Sequence, residues 1–257
     1  MILHLSDLHF GTENKDCMEA IRQFCQTHQP EAVVVSGDLT QRAKYIEFLH
    51  CKKFLDSLET PYLTVPGNHD ISLFDLWNRV FKPFTRYRLF FGNTDSVFDT
   101  EHFYLIGLNS IRRRYHTRGH ISMEQIQWVS NRLAEAPADK LKIVVTHQPF
   151  YVDSQHAHAV KDCPVQGRIA LESWSKNGLF ALLHGHLHQS AVYDLNYIYQ
   201  LNAMHPVLEI HAGTATSYRL HHGFGNSFNV IQNDGTVQYY YFDVRTKRFR
   251  TNVLDEL

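Results

Sequence analysis

Apolar residues gather into short runs without polar alternation, separated by stretches with three-to-four-residue periodicity. The run Ala32 to Val35, followed by Ser36, Gly37 and Asp38, is almost wholly β-branched. Such a run predicts a central strand covered on both faces, as in the parallel sheets of α/β proteins, where ligands gather outside the carboxyl ends of strands. Comparable runs span Ile2 to Leu5, Tyr62 to Val65, Phe103 to Leu108, Lys142 to Thr146 and Leu179 to Leu183. Helical periodicity near Cys17 to Thr27 and Tyr45 to Leu58 completes a βαβαβ order at the start of the chain. In the second of these helices Phe48, Cys51, Leu55 and Leu58 share a face, which should pack on the sheet. Rings recur from Ile71 to Phe91 (Phe74, Trp77, Phe81, Phe84, Tyr87, Phe90, Phe91) around a break at Pro83, and at helical spacing they are expected in the core. Ser122-Met123-Glu124-Gln125 has the form of a capping box. It opens a helix with Met123, Ile126, Val129 and Leu133 on one side, ended by Pro137, and a further helix is expected near Ile169 to Lys176.

After Gln189 helical signals fade. Strands are predicted at Ala191 to Asp194, Val207 to Ala212, Phe228 to Gln232 and Val237 to Asp243, with Gly235-Thr236 closing a hairpin. No linker, repeat or low-complexity run divides the chain. The expectation is one domain over residues 1–257, an α/β fold with a second sheet packed against the first.

Composition narrows the function. The formal net charge of −1 supplies no global field for a phosphate polymer, so a nucleic-acid partner is not expected. The N-terminus lacks a basic, apolar and cleavable leader, and no run approaches the roughly 18 apolar residues that span a bilayer. A soluble, cytoplasmic protein without a membrane partner is expected. The 4 cysteines show no CxxC spacing and suggest reduced thiols, whereas 18 histidines hint at metal or proton chemistry.

Five strand ends deliver that chemistry: Ser6-Asp7-Leu8-His9, Gly37-Asp38, Gly67-Asn68-His69-Asp70, Thr146-His147 and His184-Gly185-His186-Leu187-His188. In extended chain, i and i+2 share a face, so Asp7 with His9, and His186 with His188, should each grip one centre. Carboxylate, amide and imidazole donors without thiolate suit Mn, Fe, Co, Ni or Zn and exclude a zinc-thiolate site. Seven candidate ligands exceed what one ion needs. Two ions about 3.5 to 4 Å apart, bridged by a carboxylate, would use them all, with Asp38 as the natural bridge.

This ordered set closely resembles the calcineurin-like metallophosphoesterase family, over most of the chain. The resemblance implies two packed mixed β-sheets flanked by helices, an αββα sandwich. It implies that Asp7, His9, Asp38 and His188 hold one metal, that Asp38, Asn68, His147 and His186 hold the other, and that His69 serves as the catalytic acid toward the leaving group. The cofactors would be two divalent ions such as Mn, Fe, Zn or Co. Within the family, His4-Leu5-Ser6-Asp7-Leu8-His9-Phe10, Ala212-Gly213-Thr214-Ala215-Thr216-Ser217 and Asn226-Ser227-Phe228-Asn229 are most similar to a bacterial branch of class III cyclic nucleotide phosphodiesterases and glycerophosphodiesterases. The branch often has a second histidine where this chain has Gln148.

The expected activity is hydrolysis of small phosphodiesters such as cyclic nucleotides, by in-line attack of a hydroxide bridging the ions. A phosphomonoesterase or nuclease on the same site is the alternative, and a scaffold without activity is disfavoured because no ligand is missing. The partner would be a small-molecule phosphoester, with a homo-oligomer left open. Asp70 would either orient an imidazole or cap a helix after Ile71. Arg112 to Arg114 are expected as an exposed basic loop rather than an anion clamp. His116, His120, His156, His158, His221 and His222 are expected as surface imidazoles, and His184 as a residue just behind the ligands.

Overall fold

The unalternated runs form strands with both faces covered. In the computed structural model, which describes residues 1–72, 77, 81–115, 117–220 and 224–251, the chain opens with β1 (Ile2–Leu5), α1 (Lys15–His28), β2 (Ala32–Val35), α2 (Tyr45–Asp56) and β3 (Tyr62–Thr64). A 3-10 turn (Asn68–Asp70) then leads to α3 (Thr85–Phe91), β4 (Ser96–Asp99), β5 (Phe103–Gly107), α4 (Met123–Glu135) and β6 (Leu141–Val145). A 3-10 segment (Ser154–Asp162) precedes α5 (Gly167–Ser175), β7 (Ala181–His184), β8 (Ala191–Asp194), α6 (Leu195–Tyr199) and β9 (Leu208–His211). The chain closes with β10 (Ser227–Ile231), β11 (Val237–Asp243) and β12 (Arg248–Thr251).

Among the described residues the strands form two mixed sheets, in the orders β12-β11-β10-β1-β2-β3 and β4-β5-β6-β7-β9-β8. The inner strands are parallel: β1 with β2 and β2 with β3 in one sheet, β5-β6-β7-β9 in the other. Alternate residues of each strand serve different layers. Ile2, Ala32, Val34 and Leu63 meet Phe103, Leu105, Ile143, Val145, Ala181 and Leu183 between the sheets. Their neighbours Leu3, Leu5, Val33 and Val35 pack under Ile21, Phe24, Phe48, Cys51 and Leu55 of α1 and α2. On the far side Ile106, Val144 and Leu182 pack under Ile126, Val129 and Leu133 of α4 and Leu171 and Trp174 of α5. Four layers, helix on sheet on sheet on helix, explain why the inner strands show no polar alternation.

Several expectations needed correction. The sequence reading did not identify β4, β12 or α6. The ring-rich stretch does not go uniformly inward: Tyr87 is fully buried, but Trp77 and Phe81 are 70% and 61% exposed. Phe74 lies outside the described residues. Met123, placed on the inner face of α4, is exposed, while Ile126, Val129 and Leu133 are buried. The capping box is present, with Ser122 Oγ accepting from the Gln125 amide and Gln125 Oε1 from the Ser122 amide. No helix among the described residues is long and apolar enough to cross a membrane.

Candidate metal centre

The parallel strands of both sheets run toward one edge, and the polar residues stand just past their ends. Asp7 and His9 follow β1, Asp38 follows β2, Asn68 and His69 follow β3, His147 follows β6, and His186 and His188 follow β7. Pleated geometry is not what pairs them. Asp7, His9, Asp38, His186 and His188 adopt left-handed backbone conformations, with φ of 51, 47, 49, 68 and 55°. Asp7 and His9 therefore meet across a tight loop, not along one face of a strand, whereas His186 and His188 do not grip one centre: His186 turns to Asn68 and His147, and His188 to Asp7 and His9. Side chains other than glycine rarely occupy this region, and a cluster of them marks a site where the fold holds the backbone against its preference.

A network of hydrogen bonds holds these loops. Thr214 and Thr216 donate their hydroxyls to the carbonyls of Asp7 and Leu8 at 2.7 and 2.9 Å. The Ala215 amide donates to Ser6 O, and Asn226 Nδ2 donates to the carbonyls of Thr214 and Ser217. The Thr214 and Asn226 motifs therefore act by fixing the loop that carries Asp7 and His9. Two glycines permit the close approach of the other loops. A Cβ on Gly37, whose φ is +104°, would strike the His147 ring, and one on Gly185 would strike Ser6 and Asp7.

The side chains form two groups that share Asp38. In the first, Asp7 Oδ1 lies 2.9 Å from His188 Nε2 and 3.6 Å from His9 Nε2. His9 Nε2 also lies 3.2 Å from His188 Nε2 and 3.7 Å from Asp38 Oδ2. In the second, His147 Nε2 lies 3.0 Å from Asn68 Oδ1 and 3.4 Å from Asp38 Oδ1, while His186 Nδ1 is 3.1 Å from Asn68 Oδ1 and 3.4 Å from His147 Nε2. Asp38 thus turns one oxygen to each group. Burial alone would raise both carboxyls. Instead His188 holds Asp7 well below the usual carboxylate range, and His147, His69 and His9 hold Asp38 below it. Burial lowers His147, whereas at His188 the attraction of Asp7 overcomes burial and raises the ring.

The donor set fits two metal ions. Ligand bonds of about 2.0 to 2.2 Å place neighbouring donors about 3.0 to 3.5 Å apart, close to the separations observed. The tautomers fit as well. His188 Nδ1 donates to Arg219 O, His147 Nδ1 donates to Ser36 O at 2.9 Å, and His186 Nε2 faces Asp162 Oδ2 at 3.3 Å. Each of these rings is left with an unprotonated nitrogen turned into the site. Asp7 Oδ1 is buried against the ring nitrogens of His188 and His9 without a well-formed hydrogen bond to either, and two ring nitrogens 3.2 Å apart call for a cation between them.

His69 stands at the open side of this cluster, its side chain 23% exposed and its Nε2 4.0 Å from Asp38 Oδ2. Its Nδ1 donates to Gln41 O at 2.9 Å, which fixes the ring with Nε2 toward the centre. Asp70 orients no imidazole. Its carboxylate accepts from the amides of Leu39, Thr40 and Gly67 and from the Thr40 hydroxyl, tying the loop after β2 to the loop after β3. The helix it was expected to cap falls on residues outside those described.

Sequence reasoning missed Asp162, whose carboxylate also accepts from the Thr117 hydroxyl and steadies His186 from behind. It ends the 3-10 segment Ser154–Asp162, with no motif to announce it. Arg112 is neither an exposed loop residue nor an anion clamp, because its guanidinium donates to the carbonyls of Asn109 and Ile111 and to Gln125. Arg113, Arg114 and His158 are exposed, His120 is half-buried, and His116, His221 and His222 lie outside the described residues, as does the side chain of His156. His184 faces Glu209 rather than a candidate ligand.

Residues 1–190 match the family pattern of the calcineurin-like phosphoesterases. A protein of Arcobacter nitrofigilis named as a probable glycerophosphodiester phosphodiesterase is 25% identical over 221 residues, covering 80% of this chain and 78% of its own. The 3',5'-cyclic adenosine monophosphate phosphodiesterase of Escherichia coli K12 is 24% identical over 211 residues, covering 76% and 72%. In fold, the chain superposes on a purple acid phosphatase from yellow lupin with a TM-score of 0.69 at 13% identity, covering 97% of this chain and about half, 52%, of the lupin chain. A dimetal phosphatase from Danio rerio gives 0.58 at 12% identity, covering 94% and 93%. The family pattern runs past the last of the clustered donors, and two donor groups share one carboxylate at the sheet edge. The chain therefore belongs to the calcineurin-like phosphoesterase family and is a metal-dependent phosphoester hydrolase with a two-ion centre.

Proposed function

We propose that the protein is a phosphodiesterase acting on small soluble diesters such as cyclic nucleotides. In this reading Asp7, His9, Asp38 and His188 hold one ion, and Asp38, Asn68, His147 and His186 hold the other. The observation that carries it is the division of Asp38, Oδ2 toward His9 and Oδ1 toward His147. Two divalent ions, when bound, would neutralise charge on the phosphoryl oxygens and lower the pKa of a water nucleophile toward neutrality. The chain's own residues do the rest. Asp162, Arg219 O and Ser36 O hold three ligand imidazoles in the tautomer that binds metal. Gln41 O holds His69 with Nε2 facing the site, so that Nε2 delivers a proton to the departing alkoxide of a diester. No covalent enzyme intermediate is needed in this reading.

A small diester is favoured by the near-zero net charge, which offers no field along a polymer backbone, and by the relatives named for glycerophosphodiesters and cyclic AMP. Metal-loaded protein should hydrolyse bis(p-nitrophenyl) phosphate and cyclic AMP faster than p-nitrophenyl phosphate or single-stranded DNA. Faster turnover of the monoester or the DNA would overturn the choice of substrate. No turnover with Mn, Fe, Co, Ni or Zn would overturn the reading as a whole.

A further inference from the structure

Behind the paired centre lies a second group of buried histidines that the hydrolytic chemistry does not use. His184 ends β7 and His211 ends β9, directly opposite each other in the parallel register, and Glu209 lies two residues before His211. Ala181 and Leu183, like Ile210, point between the sheets, so His184, Glu209 and His211 share the opposite face, under the helices. All are buried, at 0, 0 and 3% exposure. The two rings meet with centroids 3.8 Å apart. His184 Nε2 is 2.9 Å and His211 Nε2 3.9 Å from Glu209 Oε1.

This cluster lacks the hydrogen bonds that buried polar groups normally make. Among the described residues Glu209 Oε2 has no hydrogen-bond partner, and neither Nε2 makes a well-formed hydrogen bond, each having Glu209 Oε1 as its acidic neighbour. Glu209 Oε1 accepts the amides of Phe150 and Tyr151. His184 Nδ1 lies 3.2 Å from Gly185 O and Nε2 2.9 Å from Glu209 Oε1, both atoms that only accept. One imidazole proton cannot serve both, and a cation between Nε2 and Glu209 would remove the conflict. Unpartnered buried groups of this kind call for an unseen ion or other explanation.

We propose that His184, Glu209 and His211 form a third metal site, for a divalent first-row transition ion of the zinc type. Two imidazoles and one carboxylate are a donor set that zinc accepts, and the absence of thiolate leaves cobalt, nickel and manganese as competitors. The ion would pin the ends of β7 and β9 to the Phe150–Tyr151 segment. That places it just behind His147 and His186, with a structural rather than hydrolytic role.

The test is metal stoichiometry on the full-length protein loaded with zinc and freed of excess, compared among wild type, H184N, H211N and E209Q. The variants should each hold one ion fewer than wild type, with unchanged circular dichroism. The difference carries the result, so it stands whether or not the paired centre fills completely. Should E209Q fail to fold, H211N, at the end of its strand, gives the same reading. Cobalt substitution supplies an independent readout: an absorption component lost in H211N and kept in D38N belongs to this site. Equal metal content in wild type and H211N would overturn the proposal and leave a proton between His184 and Glu209.

Discussion

Asp38 illustrates how much depends on one side chain. Its oxygens divide between two donor groups, and its own backbone is left-handed, held by the Gly37 turn on one side and by the His69 amide, which donates to Oδ1 at 2.8 Å, on the other. Replacing Asp38 with Asn removes the charge that turns one oxygen to each group. Metal analysis of Asp38→Asn should show two ions lost relative to wild type, and Asp7→Asn about one. Loss of a single ion from Asp38→Asn would contradict the shared ligand. His69 makes a different prediction because it touches no more than the edge of the cluster. His69→Ala should keep its metal and lose turnover by about 10² or more, the usual scale for general acid catalysis. A leaving group that needs no proton, such as p-nitrophenolate, should suffer less. The ligand types were legible in the sequence because each segment follows an apolar run, with Ser6, Gly37, Gly67 or Gly185 marking the turn in four of the five. The left-handed backbone of Asp7, His9, Asp38, His186 and His188 was not, because residue pattern reports which side chains are present and not the φ that tertiary bonds impose on them. Asp162 escaped notice for the same reason, since only the fold brings it to His186.

The elements legible in the sequence include the strands buried on both faces, and also the half-buried β8 and β11. Strands β1, β2, β5, β6 and β7 were legible as mostly apolar runs, broken within the run only by His4 in β1 and Lys142 in β6, and α1, α2 and α4 because one face is apolar. Strand β4 alternates half-buried and exposed positions, and β12 is an edge strand carrying Arg248 and Arg250, so neither offers a hydrophobic run. Helix α6 spans only five residues and depends on Asp194 capping the amides of Asn196 and Tyr197. Between elements, Glu31 makes a tie that pattern could not reveal. It accepts from the Met1 amino group, the Thr100 hydroxyl and the His102 amide, joining the start of β2 to the β4–β5 turn of the other sheet. Burial would raise the Glu31 carboxyl, but these donors prevail and bring it from 4.5 to about 2. A carboxyl lowered on folding adds stability that is complete above its unfolded value and disappears as pH falls through its folded value. Glu31→Gln should therefore melt below wild type at neutral pH, with the gap closing between about pH 4.5 and pH 2. A gap that stayed constant over that range would show that Glu31 acts by shape and not by charge.

At the scale of the whole molecule, the two sheets meet through the apolar layer between them and again at the edge where the paired donors converge. Asp7, Asp38 and Asn68 come from the sheet built on β1, and His147, His186 and His188 from the sheet built on β7. Each donor group draws on both sheets, His188 joining Asp7 and His9, and His147 and His186 joining Asn68 and Asp38. Ions held there are cross-links between layers as well as participants in hydrolysis. Binding to the folded state alone adds about 2.7 kcal/mol when free metal exceeds its dissociation constant a hundredfold. At the size of this chain each kcal/mol moves the melting temperature by about 2 to 4 °C. Saturation with Mn should accordingly raise the melting temperature by about 5 to 10 °C over the chelator-treated protein. Asp38→Asn, which severs the ligand common to both groups, should lose most of that increment, whereas His69→Ala should keep it. A melting temperature indifferent to metal in the wild type would mean that the apolar layer alone holds the sheets in register, and that the donors close around the ions without strengthening the fold.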